Sequence, residues 1–204
     1  IALAMTERAR MLTRKQERND TMNLIVASGS PRRKELLRLY TTDFEICVSA
    51  FDEAAVTADT PAQLVEKLAR GKCLTVAAEH PGAVVLGCDT VVDVGGEVFG
   101  KPHSAEDAKR MLRALSGATH EVHTGVCISD GSRTESFVDS CKVTFFPISE
   151  AEIDAYTATQ EPYDKAGAYA IQGRAALWLD RIEGDYYTIM GLPVSRVVQL
   201  LQRF

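Results

Sequence analysis

Short apolar runs alternate with amphipathic stretches along the chain. Residues 24–27 are apolar and lead into a Ser-Gly-Ser-Pro turn at residues 28–31, which predicts a buried strand that ends in a turn. Residues 44–48 predict a second strand, and residues 83–92 predict a long strand that is mostly buried. The first half of the chain is therefore expected to supply three strands of a sheet.

Helix-start signals separate these runs. They occur at Ser30-Pro31, Thr60-Pro61, Ser104, Ser149 and Pro193, where a capping side chain or a proline suits the first turn. The helix from Thr60 is expected to run to about His80. Turn signals at Gly95-Gly96 and Asp130-Gly131 predict hairpins, with strands over residues 97–99, 123–129 and 135–145. Because helices and strands interleave, the predicted fold class is α/β with a mixed sheet.

The composition is that of a globular protein. Hydrophobic residues make up 46% and charged residues 25% of the 204 positions, and this length suits one domain, or one domain with two lobes. The net charge of -5 does not favour nucleic acid or an anionic membrane as a partner. A phosphate-binding site would therefore have to be local, built from a few clustered cations.

Targeting and cross-linking signals are weak. The chain has no run of about 18 apolar residues, and its first 20 residues lack the apolar core of a secretory signal. The five cysteines are widely spaced without zinc-ligand spacing, which argues against a disulfide framework. We expect the cysteines to be small buried hydrophobic residues and the protein to be cytoplasmic. Residues 1–22 are interpreted as a helical N-terminal extension.

The turn after the first strand combines three features that hold an anion. Gly29 allows close approach of the backbone, and the helix start at Pro31 presents free N–H groups at the positive end of a dipole. Arg32 and Arg33 add guanidinium groups suited to phosphate. Cations in a first turn oppose the dipole by roughly 0.3–1 kcal/mol each, which indicates that an anion binds there. The alternative is a capped helix with two solvated arginines.

Asp89 is a carboxylate inside an apolar run. An unpaired charge there is costly, so Asp89 needs a cation, a metal ion or several hydrogen-bond donors. The position suits a metal ligand, a general base towards water, or both. The alternative is that the strand ends at Gly87 and that Asp89 caps a turn. Glu53, in an acidic loop, is a second candidate metal ligand, and its alternative is an ordinary surface residue.

Further candidate contacts for phosphate are lysines. Lys101 lies in a tight Gly-Lys-Pro turn, and Lys72 lies on the helix that begins at residue 60, although either is also consistent with a solvated surface group. Residues 161–173 mix charges, aromatic residues and glycines without a helix or strand period, which is typical of a binding loop. In this loop Lys165 suits phosphate, and Gln172 offers a donor and an acceptor to a base edge.

Six motifs together resemble the Maf family of nucleotide pyrophosphatases. The family's patterns occur in this order: S-x-S-P-R-R-x-E-L-L at 28–37, D-T-V at 89–91, G-K-P at 100–102, S-G-x-x-H-x-V-x-T-G-V at 116–126, E-P-x-D-K-A-G-x-Y-x-I-Q-G at 161–173 and G-L-P at 191–193. Two positions depart from the family. His123 stands where an aromatic residue is usual, and Gly71 stands where alanine is usual before Lys72.

The resemblance implies a fold and a set of residue roles. Residues 23–204 would form a single two-lobed α/β domain, similar to inosine triphosphate pyrophosphatases, with a twisted mixed sheet flanked by helices and a central cleft. Asp89 would be the catalytic acidic residue. Base selection would involve Arg32, Thr90 and Gln172. The triphosphate and metal site would be lined by Ser28, Arg33, Glu53, Lys72, Lys101 and Lys165.

The resemblance also implies an activity. Residues 161–173 are similar to the branch that hydrolyses dTTP and UTP to the monophosphate and pyrophosphate. Mg²⁺ or Mn²⁺, held by Glu53 and Asp89, is the expected cofactor, and zinc is disfavoured among such oxygen ligands. The expected partner is a nucleoside triphosphate, without nucleic acid or membrane, and a homodimer is compatible with the family. Two alternatives stay open: a pyrophosphatase for a purine or modified nucleotide, and a non-catalytic nucleotide-binding regulator of cell division.

Overall fold

A computed structural model of the protein describes residues 22–204. Except for Met22, the extension expected over residues 1–22 lies outside the described residues. The helices are α1 (Pro31–Leu37), α2 (Pro61–Glu79), α3 (Ala105–Leu115), α4 (Glu150–Thr157), α5 (Tyr186–Met190) and α6 (Val194–Leu201). The strands are β1 (Leu24–Val26), β2 (Glu45–Ile46), β3 (Val84–Val94), β4 (Glu97–Phe99), β5 (Thr119–Ser129), β6 (Thr134–Phe145) and β7 (Leu179–Glu183). Short 3₁₀ helices cover Glu161–Asp164, Ala166–Ala168 and Arg174–Trp178.

These seven strands join in one mixed sheet. Its order is β2-β1-β3-β5-β6-β7, and β4 pairs with the end of β3. β1 is parallel to both β2 and β3, whereas the other pairings are antiparallel. The predicted α/β class with a mixed sheet is therefore confirmed. Among residues 22–204, none of the helices combines the length and the apolar character that a membrane crossing requires.

Helices cover the sheet on both faces. Successive residues of β1 point to opposite sides of the sheet, and they pack in two different buried clusters. Leu24 and Val26 belong to the larger buried cluster, which also includes residues of α3, α4 and α6. Ile25 and Ala27 belong to a smaller cluster, formed mainly against α2. An uninterrupted apolar run is the pattern of a strand that is buried on both faces. The first run in the sequence is such a strand.

β3 extends far past the end of its parallel neighbour β1. Val26, the last residue of β1, pairs with Leu86, and β3 continues to Val94. Asp89 and Thr90 therefore lie just beyond the carboxyl end of β1, next to the turn that leads into α1. The carboxyl ends of parallel strands are where open α/β sheets commonly bind ligands. The register of β1 and β3 thus brings two of the sequence motifs together.

The alternative in which the strand ends at Gly87 is wrong. Asp89 pairs with Gly125 in the middle of the ladder between β3 and β5. Gly87 instead marks the close approach of α2, since a Cβ atom built on it would lie 2.4 Å from the carbonyl oxygen of Ala69. A Cβ atom on Gly125 would lie 2.2 Å from the carbonyl oxygen of Val65. Both glycines allow the backbone of α2 to pack directly on the sheet.

Two strand boundaries differ from the sequence expectations. β2 is reduced to Glu45–Ile46, because its parallel neighbour β1 is itself only three residues long. β5 begins at Thr119 rather than at His123. In its first four residues, buried His120 and Val122 alternate with the more exposed Thr119 and Glu121. The sequence expectation missed this start because a buried histidine takes the place of an apolar residue.

The predicted helix starts are confirmed, although one of them has a different capping geometry. Thr60, Ser104 and Ser149 each accept a hydrogen bond from a backbone N–H of the first turn, and Ser149 forms a capping box with its N3 glutamate. Ser30 occupies the N-cap position of α1, but its side chain makes no capping hydrogen bond. The hydroxyl of Ser28 accepts the N–H of Ser30 instead, at 3.3 Å.

His120 is a buried histidine in an aromatic cluster. Its Nε2 atom hydrogen-bonds the hydroxyl of Tyr169 at 2.8 Å, and its ring meets Phe145 and Tyr169 edge-on. Its Nδ1 atom is buried without a hydrogen-bond partner in the described chain. Burial disfavours the charged imidazolium and lowers the pKa of His120 to about 4.

This histidine makes the stability of the protein depend on pH. The unfolded chain binds a proton near the ordinary pKa of 6.5, whereas the folded chain binds it only near 4. The unfolding free energy should therefore fall as the pH drops from about 6.5 to about 4, by on the order of 3 kcal/mol from this group alone. We expect His120→Gln to remove this component in urea unfolding at pH 7.5, 6 and 5. The control is His103→Gln at an exposed histidine. If wild type and His120→Gln lost stability in parallel, the assignment to His120 would be wrong.

Candidate active site

The ten candidate residues all line one cleft of about 1080 Å³. They come from the turn before α1, from α1, α2 and β3, and from three loops. The set consists of Ser28, Arg32, Arg33, Glu53, Lys72, Asp89, Thr90, Lys101, Lys165 and Gln172. Segments up to 144 positions apart are therefore assembled around one space, which is the arrangement that a ligand site needs.

Lys72 lies between the two candidate metal ligands. Its Nζ atom is 2.7 Å from Oδ1 of Asp89 and 2.8 Å from Oε2 of Glu53. The side chains of Lys72 and Asp89 are each only 13% exposed, whereas that of Glu53 is 53% exposed. Lys72 therefore supplies the cation that a carboxylate in a buried strand requires. The alternative that Lys72 is a solvated surface group is wrong.

Gly71 accounts for the position of the acidic loop. A Cβ atom built on Gly71 would lie 2.3 Å from the ring of Phe51, so the ring occupies the space that an alanine side chain would fill. Phe51 precedes Glu53 by two residues, and Gly71 directly precedes Lys72. This contact therefore fixes the loop beside the helix at the place where Glu53 meets Lys72. The departure from the usual alanine has a structural reason.

Arg33 binds three acceptors of the protein itself. Its Nη1 atom donates to the hydroxyl of Ser28 at 2.9 Å, and its Nη2 atom donates to the hydroxyl of Thr90 at 3.0 Å. Its Nε atom donates to the carbonyl oxygen of Gly191 at 2.8 Å. A guanidinium group carries five N–H bonds, so two remain for a ligand. Arg33 is therefore neither a solvated side chain nor one that faces only a phosphate. It also links α1 to β3 and to the end of α5.

A chain of hydroxyl groups fixes how Thr90 can bind. Oγ1 of Thr124 donates to the carbonyl oxygen of Thr188 at 2.8 Å, which uses its only proton. In the 2.9 Å contact between the two hydroxyl groups, Thr90 must therefore be the donor to Thr124. Because Thr90 also accepts from Arg33, its hydroxyl group presents only an acceptor to the cleft. Thr90 can therefore accept a hydrogen bond from a ligand but cannot donate one.

Arg32 is the more available of the two arginines. Its nearest carboxylate is that of Asp164, with a 3.9 Å separation between Nη1 and Oδ2. Burial lowers the pKa of Arg32; nearby Asp164 raises it, and the neighbouring Arg33 lowers it. Burial raises the pKa of Asp164, but the hydrogen bond and charge of Lys165 and the charge of Arg32 bring it below its ordinary value. A bound anion would relieve the desolvation and repulsion at Arg32.

The loop of residues 161–173 is held to the turn that carries Lys101. The N–H of Gly167 donates to the carbonyl oxygen of Gly100 at 3.0 Å. Gly167 has a φ angle of 70°, and a Cβ atom there would also lie 2.8 Å from Val92. In the same loop, Nζ of Lys165 donates to the carbonyl oxygen of Glu161 at 2.9 Å. Lys101 and Gln172, by contrast, are both exposed at the edge of the cleft.

Sequence reasoning missed three contributors to this site. Asp164 pairs with Arg32 and Lys165, Thr124 orients Thr90, and the carbonyl oxygen of Gly191 binds Arg33. Asp164 and Gly191 lie in motifs that the sequence displays, but their partners are distant in the chain. Thr124 also lies in a motif, at residues 116–126, but nothing in the sequence indicates that it contacts Thr90 on another strand.

The fold and the cleft define an α/β protein with a cleft at the end of its parallel strands, lined by several basic side chains. The architecture is similar to that of the Ham1 protein of Staphylococcus aureus, with a TM-score of 0.52, 14% identity, and coverage of 87% of this chain and 99% of that one. The family described as Maf-like protein matches residues 23–204. The chain belongs to this family.

Two relatives are similar over nearly their whole length. One, from Bacillus cytotoxicus, is named dTTP/UTP pyrophosphatase and is 48% identical over 180 residues, which are 88% of this chain and 94% of the relative. Another with the same name, from Bacillus mycoides, is 48% identical over 181 residues, which are 89% of this chain and 95% of the relative. The sequence resemblance to the Maf family is therefore confirmed.

The two adjacent arginines should differ in their effect on stability. Arg33→Gln removes three charge-assisted hydrogen bonds and should lower the unfolding free energy by about 2–4 kcal/mol. Arg32→Gln, the matched control, loses one long ion pair and should cost less than about 1 kcal/mol. Urea unfolding without ligand measures both. Equal losses in the two variants would contradict the structural role assigned to Arg33.

Proposed function

We propose that this protein hydrolyses dTTP or UTP to the nucleoside monophosphate and pyrophosphate. The observation that carries the proposal is the position of Asp89, a nearly buried carboxylate that faces a cleft containing Arg32, Lys72, Lys101 and Lys165. A carboxylate suited to accept a proton thus lies among basic side chains suited to bind phosphate. The names of the two Bacillus relatives support the same reaction. We further propose that residues 23–204 act as a single two-lobed domain around this cleft.

The reaction needs one water molecule and one leaving group. The water oxygen attacks the α-phosphorus, the bond from that phosphorus to the bridging oxygen breaks, and pyrophosphate leaves with the bonding electrons. Asp89 orients the water and takes up its proton. Lys101 and Lys165 stabilise the charge that develops on the leaving pyrophosphate. Ser28 and the two remaining N–H bonds of Arg33 bind the phosphate chain at the start of α1.

The acidic pair suits a divalent cation. Glu53 and Asp89 both lie within 2.8 Å of one ammonium group, so their oxygen atoms already converge on a single positive charge. One or two carboxylates together with substrate phosphates are the usual ligands of Mg²⁺, and Mn²⁺ accepts the same oxygen ligands. A bound cation would neutralise charge on the phosphate oxygens during the reaction. We therefore include Glu53 and Asp89 as its protein ligands.

Base selection is assigned to three residues of the cleft, Gln172, Thr90 and Arg32. Gln172 is exposed there and carries both a donor and an acceptor, which matches the mixed edge of a pyrimidine base. Thr90 offers only an acceptor, and uracil and thymine carry a matching N–H group at the ring nitrogen between their two carbonyl groups. Arg32, held loosely by Asp164, completes this group. Three side chains of different hydrogen-bonding character thus support preference for UTP and dTTP.

Asp89→Asn tests the catalytic assignment. The amide keeps the shape of the side chain but cannot take up a proton, so kcat should fall by at least about a hundredfold, in line with the usual contribution of general bases. The measurement is release of pyrophosphate from dTTP with Mg²⁺. Asp93→Asn, on the same strand beyond the cleft-lining residues, is the matched control and should retain activity. Wild-type kcat in Asp89→Asn would remove Asp89 from the mechanism.

A panel of nucleoside triphosphates, with and without divalent metal, tests the substrate class. We expect the highest kcat/KM for UTP and dTTP, lower values for ATP and GTP, and loss of turnover when Mg²⁺ and Mn²⁺ are omitted. Preference for a purine or modified nucleotide would replace the pyrimidine assignment. Tight binding of dTTP without any product after long incubation with Mg²⁺ would favour a nucleotide-binding regulator over an enzyme.

A further inference from the structure

A second group of potential metal ligands lies outside the cleft, where β2 passes the C-terminal end of α2. Cys47, Glu79 and His80 each contribute one ligand atom, and these three atoms lie within 4.8 Å of one another. Cys47 follows directly after β2, whereas Glu79 ends α2 and His80 is its C-cap. None of the three is among the residues that line the cleft. The group is therefore distinct from the acidic pair of the candidate active site.

The polar atoms of these three side chains have no partner within the described chain. Within residues 22–204, none of the three side chains makes a hydrogen bond or an ion pair with another residue. Other thiols differ: Cys73, for example, is fully buried and donates to the carbonyl oxygen of Val85. The expectation of a buried hydrophobic cysteine holds for four of the five thiols but is wrong for Cys47, which is half-buried.

The backbone fixes the three residues in place. The N–H of Cys47 donates to the carbonyl oxygen of Val26 at 3.1 Å, which extends the pairing of β1 and β2. The N–H of His80 donates to the carbonyl oxygen of Ala77, and the carbonyl oxygen of His80 accepts from the N–H of Ala83 at 3.1 Å. Cys47 also packs against the smaller apolar cluster beneath α2. Rigid supports of this kind lower the entropy lost when ligands gather around a metal.

We infer that Cys47, Glu79 and His80 form a binding site for one Zn²⁺ ion. Sulfur, imidazole nitrogen and carboxylate oxygen are the three ligand types that zinc accepts. With the bond lengths of these ligands, a tetrahedral ion holds them roughly 3.4–3.6 Å apart, so the side chains need only close slightly. A thiolate and a carboxylate also balance the charge of the ion. Since Glu79 is exposed, water takes the fourth position.

Zinc at this position would close a long segment of the chain. Cys47 and His80 are the two ends of the stretch that contains Glu53 and Lys72, the pair next to Asp89. An ion that joins the ends of such a stretch stabilises the folded state, because it binds the folded chain and not the unfolded one. The site is thus a clip that secures one wall of the cleft. It does not take part in the chemistry of the cleft.

Cobalt and zinc titrations of metal-free protein test the inference. Co²⁺ is the spectroscopic probe, because only coordination by a thiolate gives a sulfur-to-cobalt charge-transfer band. The titrations use the Asp89→Asn background, which removes one carboxylate ligand from the cleft. We expect the band in this background and in the matched thiol control Cys141→Ala, whose residue lies on β6 with three strands between it and β2. We expect its loss in Cys47→Ser.

Zinc affinity and stability give the second readout. Glu79→Gln and His80→Ala should each weaken Zn²⁺ binding by at least about tenfold, which is the effect of even outer-shell changes at metal sites. Zn²⁺ should raise the thermal midpoint of the Asp89→Asn protein but not that of the same protein with Cys47→Ser. Glu79 is an exposed helix residue, so its variant folds normally. Absence of the cobalt band, or its persistence in Cys47→Ser, would overturn the site.

Discussion

The close packing of α2 on the centre of the sheet determines where the charges of the cleft lie. Gly87 and Gly125 have no side chains, so the helix backbone reaches the strands directly. Lys72, one turn after Ala69, is thereby brought to within 2.7 Å of Asp89. Any larger residue at either glycine would lift the helix and leave Asp89 as a nearly buried carboxylate without its cation. The stability of this strand and the electrostatics of the cleft therefore depend on the same contact.

The two adjacent arginines show how one motif serves structure and binding at once. Arg33 joins α1 to β3 and to the end of α5, through acceptors 57 and 158 positions away in the chain. Arg32 has only a long contact with Asp164 and keeps most of its donors available. A rigid Arg33 also holds Ser28 and Thr90 in fixed orientations. Arg33 thus preorganises the cleft, whereas the guanidinium group of Arg32 keeps donors that are not used within the protein.

Features that depend on neighbouring residues were predictable from the sequence, and those that depend on register were not. The capping positions at Thr60, Ser104 and Ser149 follow from local side-chain chemistry, and the structure confirms them. The family motifs also contain eight of the ten candidate residues that line the cleft, and only Glu53 and Lys72 lie outside them. By contrast, nothing local reveals that Gly87 faces a helix rather than ending a strand. Nor does spacing reveal that Cys47 meets residues at the end of α2, because 32 positions separate Cys47 from Glu79 in the chain.

The balance of charge in the cleft bears on the need for a metal ion. The whole chain carries a net charge of -5, but five basic and four acidic side chains line the cleft, so the region around the site is close to neutral. Lys72 is already paired twice and Lys165 is paired with Asp164, which reduces what they offer to a new anion. Under the proposed function, the free donors of Arg33 and Lys101 would have to bind a triphosphate of several negative charges. The proposed divalent cation at Glu53 and Asp89 would add positive charge beside Lys72, and would therefore help a nearly neutral cleft to bind a polyanion.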